Sequence, residues 1–150
     1  MKGDNMNIDK NTNVFIYLTG NKEMDNAIKK FCKDKKLNVV KEFSPNFEES
    51  NQYWNSAIFE MYFELSEINN NYEIKNIITY DLDNLSWCTY DQVAISLMFF
   101  DIGVDVFTLK EGNINREEVM NIYLNINEKD LQPLKKYWLK DKEKVENEKK

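Results

Sequence analysis

Few side chains in this sequence could do covalent or acid–base chemistry, and they gather at the ends of apolar runs. The stretch from Asn76 to Trp87 carries Ile77 and Ile78 into a carboxylate, Asp83, and then into a second amphipathic segment. A strand that delivers an acidic residue to the carboxyl edge of a sheet puts it where open α/β folds bind ligands. There it could hold a metal or orient a substrate, although such a residue more often caps the turn that follows. Gly20-Asn21 also follows an apolar run. One glycine without a Gly-x-Gly-x-x-Gly context defines a simple βα turn better than a phosphate loop. Thr19 and Ser86 carry hydroxyls close to Gly20 and Asp83 that could in principle serve as nucleophiles, and neither has a base or cation evident beside it in the sequence. Cys88 lacks a neighbouring cation or histidine and reads as a small inert side chain. Histidine is absent, and Cys32 and Cys88 lie too far apart for metal-ligand spacing. The commonest general base and the commonest metal ligand are therefore missing, and neither a metal nor a cofactor is expected.

The elements that must position these residues follow from apolar periodicity. Val14 to Leu18 is a short β-type run, bounded by Asn13 and by Gly20-Asn21. Met24, Ile28, Phe31 and Cys32 recur at helical spacing, with Lys29, Lys30 and Lys33 outside. Asn38 to Phe43 is a second strand, closed by Ser44-Pro45. After a polar loop, Trp54, Ile58, Met61, Tyr62, Leu65 and Ile68 mark a strongly apolar helix that Asn69-Asn70-Asn71 should stop, with its Trp54–Phe63 aromatics mainly in the core. Ile74 to Tyr80 is the third strand. A helix capped by Thr89 or Asp91 should then run through Val93, Ile95, Leu97, Phe99 and Ile102 to Gly103, a C-cap candidate. Val104 to Leu109 is the fourth strand. Val119, Ile122, Tyr123 and Ile126 form one further helical stripe; Leu131, Leu134, Tyr137 and Trp138 form another, opened by Pro133 after Asp130.

Strands alternating with helices predict a three-layer α/β fold, a parallel sheet of order about 2-1-3-4 with helices on both faces. The expected division is a loose tail over 1–12, one α/β domain over 13–112, and a helical segment over 113–150.

The residues around Asp83 closely resemble the Asp-Arg-Leu-x-Arg signature of the serine recombinase (resolvase/invertase) N-terminal catalytic domain. The match runs from about Val14 to Lys110. In that family the first strand ends Tyr-x-Arg-x-Ser, whose serine attacks DNA phosphate and whose arginine binds it. Here Tyr17 keeps its slot, Thr19 stands in the arginine's place and Asn21 in the nucleophile's. Asp25 replaces the usual glutamine, and the region Asn46 to Asn55 lacks the family's next phosphate-binding arginine. Asp83 and Leu85 are retained, whereas the two signature arginines are Asn84 and Trp87. Gly103-Val104-Asp105-Val106 fits the family's Gly-Val-x-Val pattern. The resemblance implies phosphodiester transfer, which needs a nucleophile and cations to neutralise the phosphorane. Each preorganised donor is worth on the order of 10²–10³ in rate, or about 3–4 kcal/mol. Without the serine and four arginines nearly all catalysis should go, even allowing for non-additivity. The chain is accordingly expected not to be an enzyme. Family members dimerise through a long helix after the sheet, so a homodimer through Leu131, Leu134, Tyr137 and Trp138 is expected, or else a different protein partner.

Composition sets the remaining bounds. The 150 residues are 42% hydrophobic, one domain's worth of core. The formal charge is −6 and the pI about 4.8, a poor balance for a free-standing DNA binder, so weak or no direct DNA binding is expected. Arg116 is the sole arginine, which limits bidentate phosphate recognition. The Lys140–Lys150 run mixes both signs and suits a solvated helix end. Two thiols, no secretory signal and no membrane-length apolar run lead to the expectation of a cytoplasmic protein. The leading expectation is a non-catalytic recombinase-like interaction or regulatory module on a mobile element or in a plasmid- or phage-rich bacterium. The alternatives are an atypical recombinase that keeps strand exchange, and a small-ligand-binding module using the cleft near Gly20 and Asp83.

Overall fold

A computed structural model describes residues 8–48, 54–86 and 88–125, with only the backbone described for 67–72. Trp87, the Leu131, Leu134, Tyr137 and Trp138 stripe, Pro133 and the lysine-rich end lie outside the described residues.

Five strands and four helices alternate along the chain: β1 (Asn13–Tyr17), α1 (Lys22–Asp34), β2 (Asn38–Phe43), α2 (Ser56–Tyr72), β3 (Asn76–Thr79), α3 (Thr89–Asp101), β4 (Asp105–Thr108), β5 (Gly112–Asn113) and α4 (Arg116–Asn125). The sheet order is β2-β1-β3-β4-β5. The first four strands pair in parallel, in the order expected from the sequence. The antiparallel edge strand β5 was not anticipated, because two residues are too few to show a period. It folds back where Gly112, at φ +80°, reverses the chain after Thr108.

β1 and β3 are buried on both faces, which is why they read as continuous apolar runs instead of alternating ones. Phe15, Tyr17, Ile77 and Val106 point to one side, where Ile58, Met61 and Leu65 of α2, Ile95 and Phe99 of α3, and Val119 of α4 complete the larger core. Val14, Ile16, Ile78 and Phe107 point to the other side, onto Ile28 and Cys32 of α1. Phe31 stacks on Phe107 at 5.1 Å between ring centroids. Ile8 packs partly against this second core.

Three local expectations are corrected. α2 runs through Asn69-Asn70-Asn71 to Tyr72 and ends only where Glu73 takes φ +50°. The helix penalty of an asparagine is a few tenths of a kcal/mol, which tertiary packing of the preceding turns outweighs. The α3 N-cap is Cys88, with no side-chain cap bond, in place of Thr89 or Asp91. Ser86 takes over part of that task by accepting from the Cys88 N–H at 3.2 Å. The Trp54–Phe63 aromatics are not mainly core either: Trp54 and Tyr62 are half-buried against it, whereas Phe59 is 39% and Phe63 58% exposed, and the buried side chains of this stretch are the aliphatic Ile58 and Met61. Gly103 does end α3, at φ +80°. Its N–H bonds the Phe100 carbonyl and that of Val104 bonds Phe99, the Schellman pattern.

Candidate functional site

The parallel strands bring their carboxyl ends to one edge of the sheet, where the β1–α1 turn and the β3–α3 connection face each other. Asn21 caps α1, its side-chain oxygen accepting from the Met24 N–H at 3.0 Å. In the first turn of that helix, the Asp25 carboxylate folds back over the preceding loop. It accepts from the Thr19 N–H at 2.7 Å, the Thr19 hydroxyl at 2.8 Å and the Gly20 N–H at 3.1 Å. The Thr19 oxygen in turn accepts from the Asn21 N–H at 2.9 Å. The N–H groups that a βα turn offers to an anion are thus aimed at the chain's own carboxylate.

Across the edge, Thr79 at the end of β3 donates to the Tyr17 carbonyl at 2.9 Å. Asn84 lies in a short 3₁₀ turn, Leu82–Asn84, capped by Asp81, which accepts from the Asn84 N–H. Its amide donates to the Thr79 hydroxyl at 2.6 Å and to the Leu18 carbonyl at 3.1 Å. With a longer contact of 3.4 Å from the same nitrogen to the Tyr17 carbonyl, these bonds tie the ends of β1 and β3 together.

Thr19, Asn21, Asp25 and Asn84 therefore converge on the ends of β1 and β3. Tyr17, 1% exposed, is a core residue. Asp83 is exposed on the 3₁₀ turn and accepts from Gln92 of α3 at 3.1 Å. It belongs to the connection and is not itself the turn's cap, a role taken by Asp81. Both candidate hydroxyls have a carboxylate beside them, contrary to expectation: Thr19 has Asp25, and Ser86 has Asp91 at 3.3 Å. No sequence spacing announces these pairs, because each needs a turn to close. Lys22 and Lys110 are exposed cations near this edge, and no described bond brings either to Thr19. Arg116 is at the opposite end of the sheet, where it pairs with Asp105 at 2.8 Å and lies over the Phe100 ring.

Phe47 was also missed. Asn46 and Asn55 exchange bonds of 2.9 Å, closing the β2–α2 loop and laying the Phe47 ring across Gly20. A Cβ on Gly20 would come within 2.3 Å of that ring. An aromatic residue isolated in a polar loop is the one trace of this in the sequence. Burial pushes the Cys32 thiol up to about 11, which keeps it protonated and inert. Among the described residues there is no cluster of three or more histidine, cysteine or acidic side chains suited to a metal. No described helix is long and apolar enough to cross a membrane.

Comparison with solved structures defines the fold class. A resolvase family site-specific recombinase from Streptococcus pneumoniae superposes with a TM-score of 0.63 at 8% identity, over 93% of this chain and 99% of that one. The N-terminal catalytic domain of TP901-1 integrase superposes with a TM-score of 0.55 at 15% identity, over 67% of this chain and 80% of that one. The chain has the fold of a serine recombinase N-terminal catalytic domain. No protein-family model matches the sequence, and no curated protein does.

Proposed function

We propose that this chain is a serine-recombinase-fold protein without recombinase chemistry, working as an interaction or regulatory module tied to a mobile element. The observation that carries this reading is the self-satisfied sheet edge. Asp25 occupies the turn's donors, Asn84 is spent on Thr79 and Leu18, and the lone arginine is paired elsewhere. A carboxylate in that turn repels a phosphate, the reverse of what phosphoryl transfer needs. An interaction role is supported by apolar side chains left open on α2 and α4, namely Phe63, Met120, Ile122 and Leu124. Of these, Met120 lines a cleft of about 600 Å³ between α3 and α4, together with Leu97, Met98, Phe100 and Tyr123 and with Asp101 and Arg116 at its charged end. Self-pairing through Leu131, Leu134, Tyr137 and Trp138 belongs to the same reading.

A second reading, an atypical recombinase, is favoured by the Thr19–Asp25 hydroxyl–carboxylate pair. One experiment separates the two. Supercoiled plasmid incubated with the protein should show neither nicking nor a covalent protein–DNA adduct, and Asn21→Ser should not create either. An adduct that disappears in Thr19→Ala or Ser86→Ala would establish the second reading.

A further inference from the structure

The net charge of −6 conceals a strong separation of charge between the two helical layers. On the larger layer, α2, α3 and α4 carry Glu60, Glu64, Asp91, Asp101, Glu117 and Glu118, and their one cation is Arg116, already paired with Asp105. The other layer contains α1, which carries four lysines against Glu23, Asp25 and Asp34 and gathers the lysines on its outward side. Lys22, Lys29, Lys30 and Lys33 recur at i, i+7, i+8 and i+11. At 100° per residue they fall within about 100° of arc, opposite the buried Ile28 and Cys32. All four are exposed. Of the four only Lys29 enters a described ion pair, a 3.9 Å contact to Glu42 with both side chains about half exposed. Such a pair is weak and readily exchanged. Past the helix, Lys35 and Lys36 continue the positive surface, and the Asn11 N–H bonds the Lys36 carbonyl at 2.8 Å, bringing the Lys10 turn alongside.

We infer that this face of α1 is a docking surface for the phosphate backbone of nucleic acid, bound without regard to sequence. The row from Lys22 to Lys33 is about 17 Å long, which at an axial rise of about 3.4 Å per phosphate gives about five phosphates of one DNA strand as an upper limit, since the strand winds away from a straight row. Its shape selects among polyanions. Glu23 and Asp34 border the row on one flank and Glu42 on the other, so the cations form a line between carboxylates and not a broad patch. A linear polyanion can follow that line, whereas a flat anionic bilayer would meet the bordering carboxylates too. No large apolar side chain of α1 is among the described exposed ones, so there is also no wedge to enter a membrane. Lysines act here as point charges, which gives affinity to phosphate without base reading. The surface lies on a different layer from the α3–α4 cleft and does not depend on the absence of catalysis.

The test is fluorescence anisotropy with a labelled random-sequence duplex of about 25 base pairs, titrated with the full chain at several salt concentrations. Four phosphate contacts predict a slope of log K against log salt of about −3.6. Raising salt from 50 to 200 mM should then weaken binding about a hundredfold, from a Kd on the order of 10⁻⁶–10⁻⁵ M at the lower salt. At physiological salt this stays near the weak end of non-specific binding, about 10⁻⁴ M, in keeping with the acidic net charge. Replacing Lys22, Lys29, Lys30 and Lys33 together with glutamine, which has nearly the same helix propensity, should preserve circular dichroism and the thermal midpoint. Affinity at 50 mM should drop at least tenfold and the slope should lose most of its value, with Lys10, Lys35 and Lys36 accounting for what is left. Glu60→Gln, on the opposite layer, should leave the slope unchanged. Absence of binding by the wild type at 50 mM salt overturns the inference, as does a folded quadruple variant that binds like the wild type. Co-sedimentation with phosphatidylserine vesicles at equal or greater affinity than duplex overturns it in favour of a membrane surface.

Discussion

Asn84→Ala distinguishes a side chain spent on architecture from one held ready for a ligand. The Asn84 amide makes two short bonds, 2.6 Å to the Thr79 hydroxyl and 3.1 Å to the Leu18 carbonyl, in a half-buried position. Each net hydrogen bond contributes about 1 kcal/mol, and truncation leaves partners without a donor, so the loss should be about 2 kcal/mol. For a domain of this size that corresponds to a fall in thermal midpoint of about 4–8 °C. Urea unfolding followed by circular dichroism reads the same quantity as a lower midpoint with an unchanged m-value. Asn84→Asp should be worse than alanine, because it removes the donor and turns a carboxylate toward the Leu18 and Tyr17 carbonyls. A loss within 0.5 kcal/mol of zero for alanine, roughly what an inconsequential surface change causes, would refute the structural role of Asn84. Its amide would then be available to a ligand, and the central support for a non-catalytic edge would be gone.

Two other outcomes rest on the structure and a third on the apolar spacing of the sequence. Cys32 is protonated in the folded state up to about 11 against 9.0 ordinarily, so its contribution to stability is intact below pH 9 and declines as pH rises toward 11. Urea titrations from pH 8 to 10.5 should show the wild type losing stability relative to Cys32→Ala, by at most about 1.4 kcal/mol per pH unit; parallel profiles would rule this out. Gly103→Ala should cost about 1 kcal/mol, because φ is +80° while no atom lies within 4 Å of the added Cβ; a larger loss in thermal denaturation would mean that more than backbone strain is involved. Trp138→Ala should convert a dimer to a monomer in sedimentation equilibrium with far-UV circular dichroism unchanged, and a wild type already monomeric at high micromolar concentration would end the pairing proposal.

Apolar patterning was enough for the parallel part of the sheet, β2-β1-β3-β4, though not for the antiparallel edge strand β5. Val14 to Leu18, Ile77-Ile78 and Val106-Phe107 are apolar on both faces, and a strand buried on both sides has few places to go except the middle of a parallel sheet. Glycine chemistry likewise marked the end of α3 at Gly103, since the left-handed C-cap has a local cause. The sequence also placed Thr19, Asn21 and Asn84 at positions where the family it resembles carries arginine or serine. What those three side chains bond to was set by the folded chain. Asp25 reaches Thr19 and Gly20 only because the β1–α1 turn doubles back, and Asn84 reaches Leu18 only because β3 lies beside β1. Phe47 meets Gly20 only once the Asn46–Asn55 bonds close a loop. Charge obeys the same division: composition reports a sum, −6, whereas the direction in which each lysine and glutamate points depends on how the helices pack. Burying Ile28 and Cys32 against the sheet leaves the lysines of α1 a single outward face, because a helix that commits its apolar stripe to the core has no other rotation open to it.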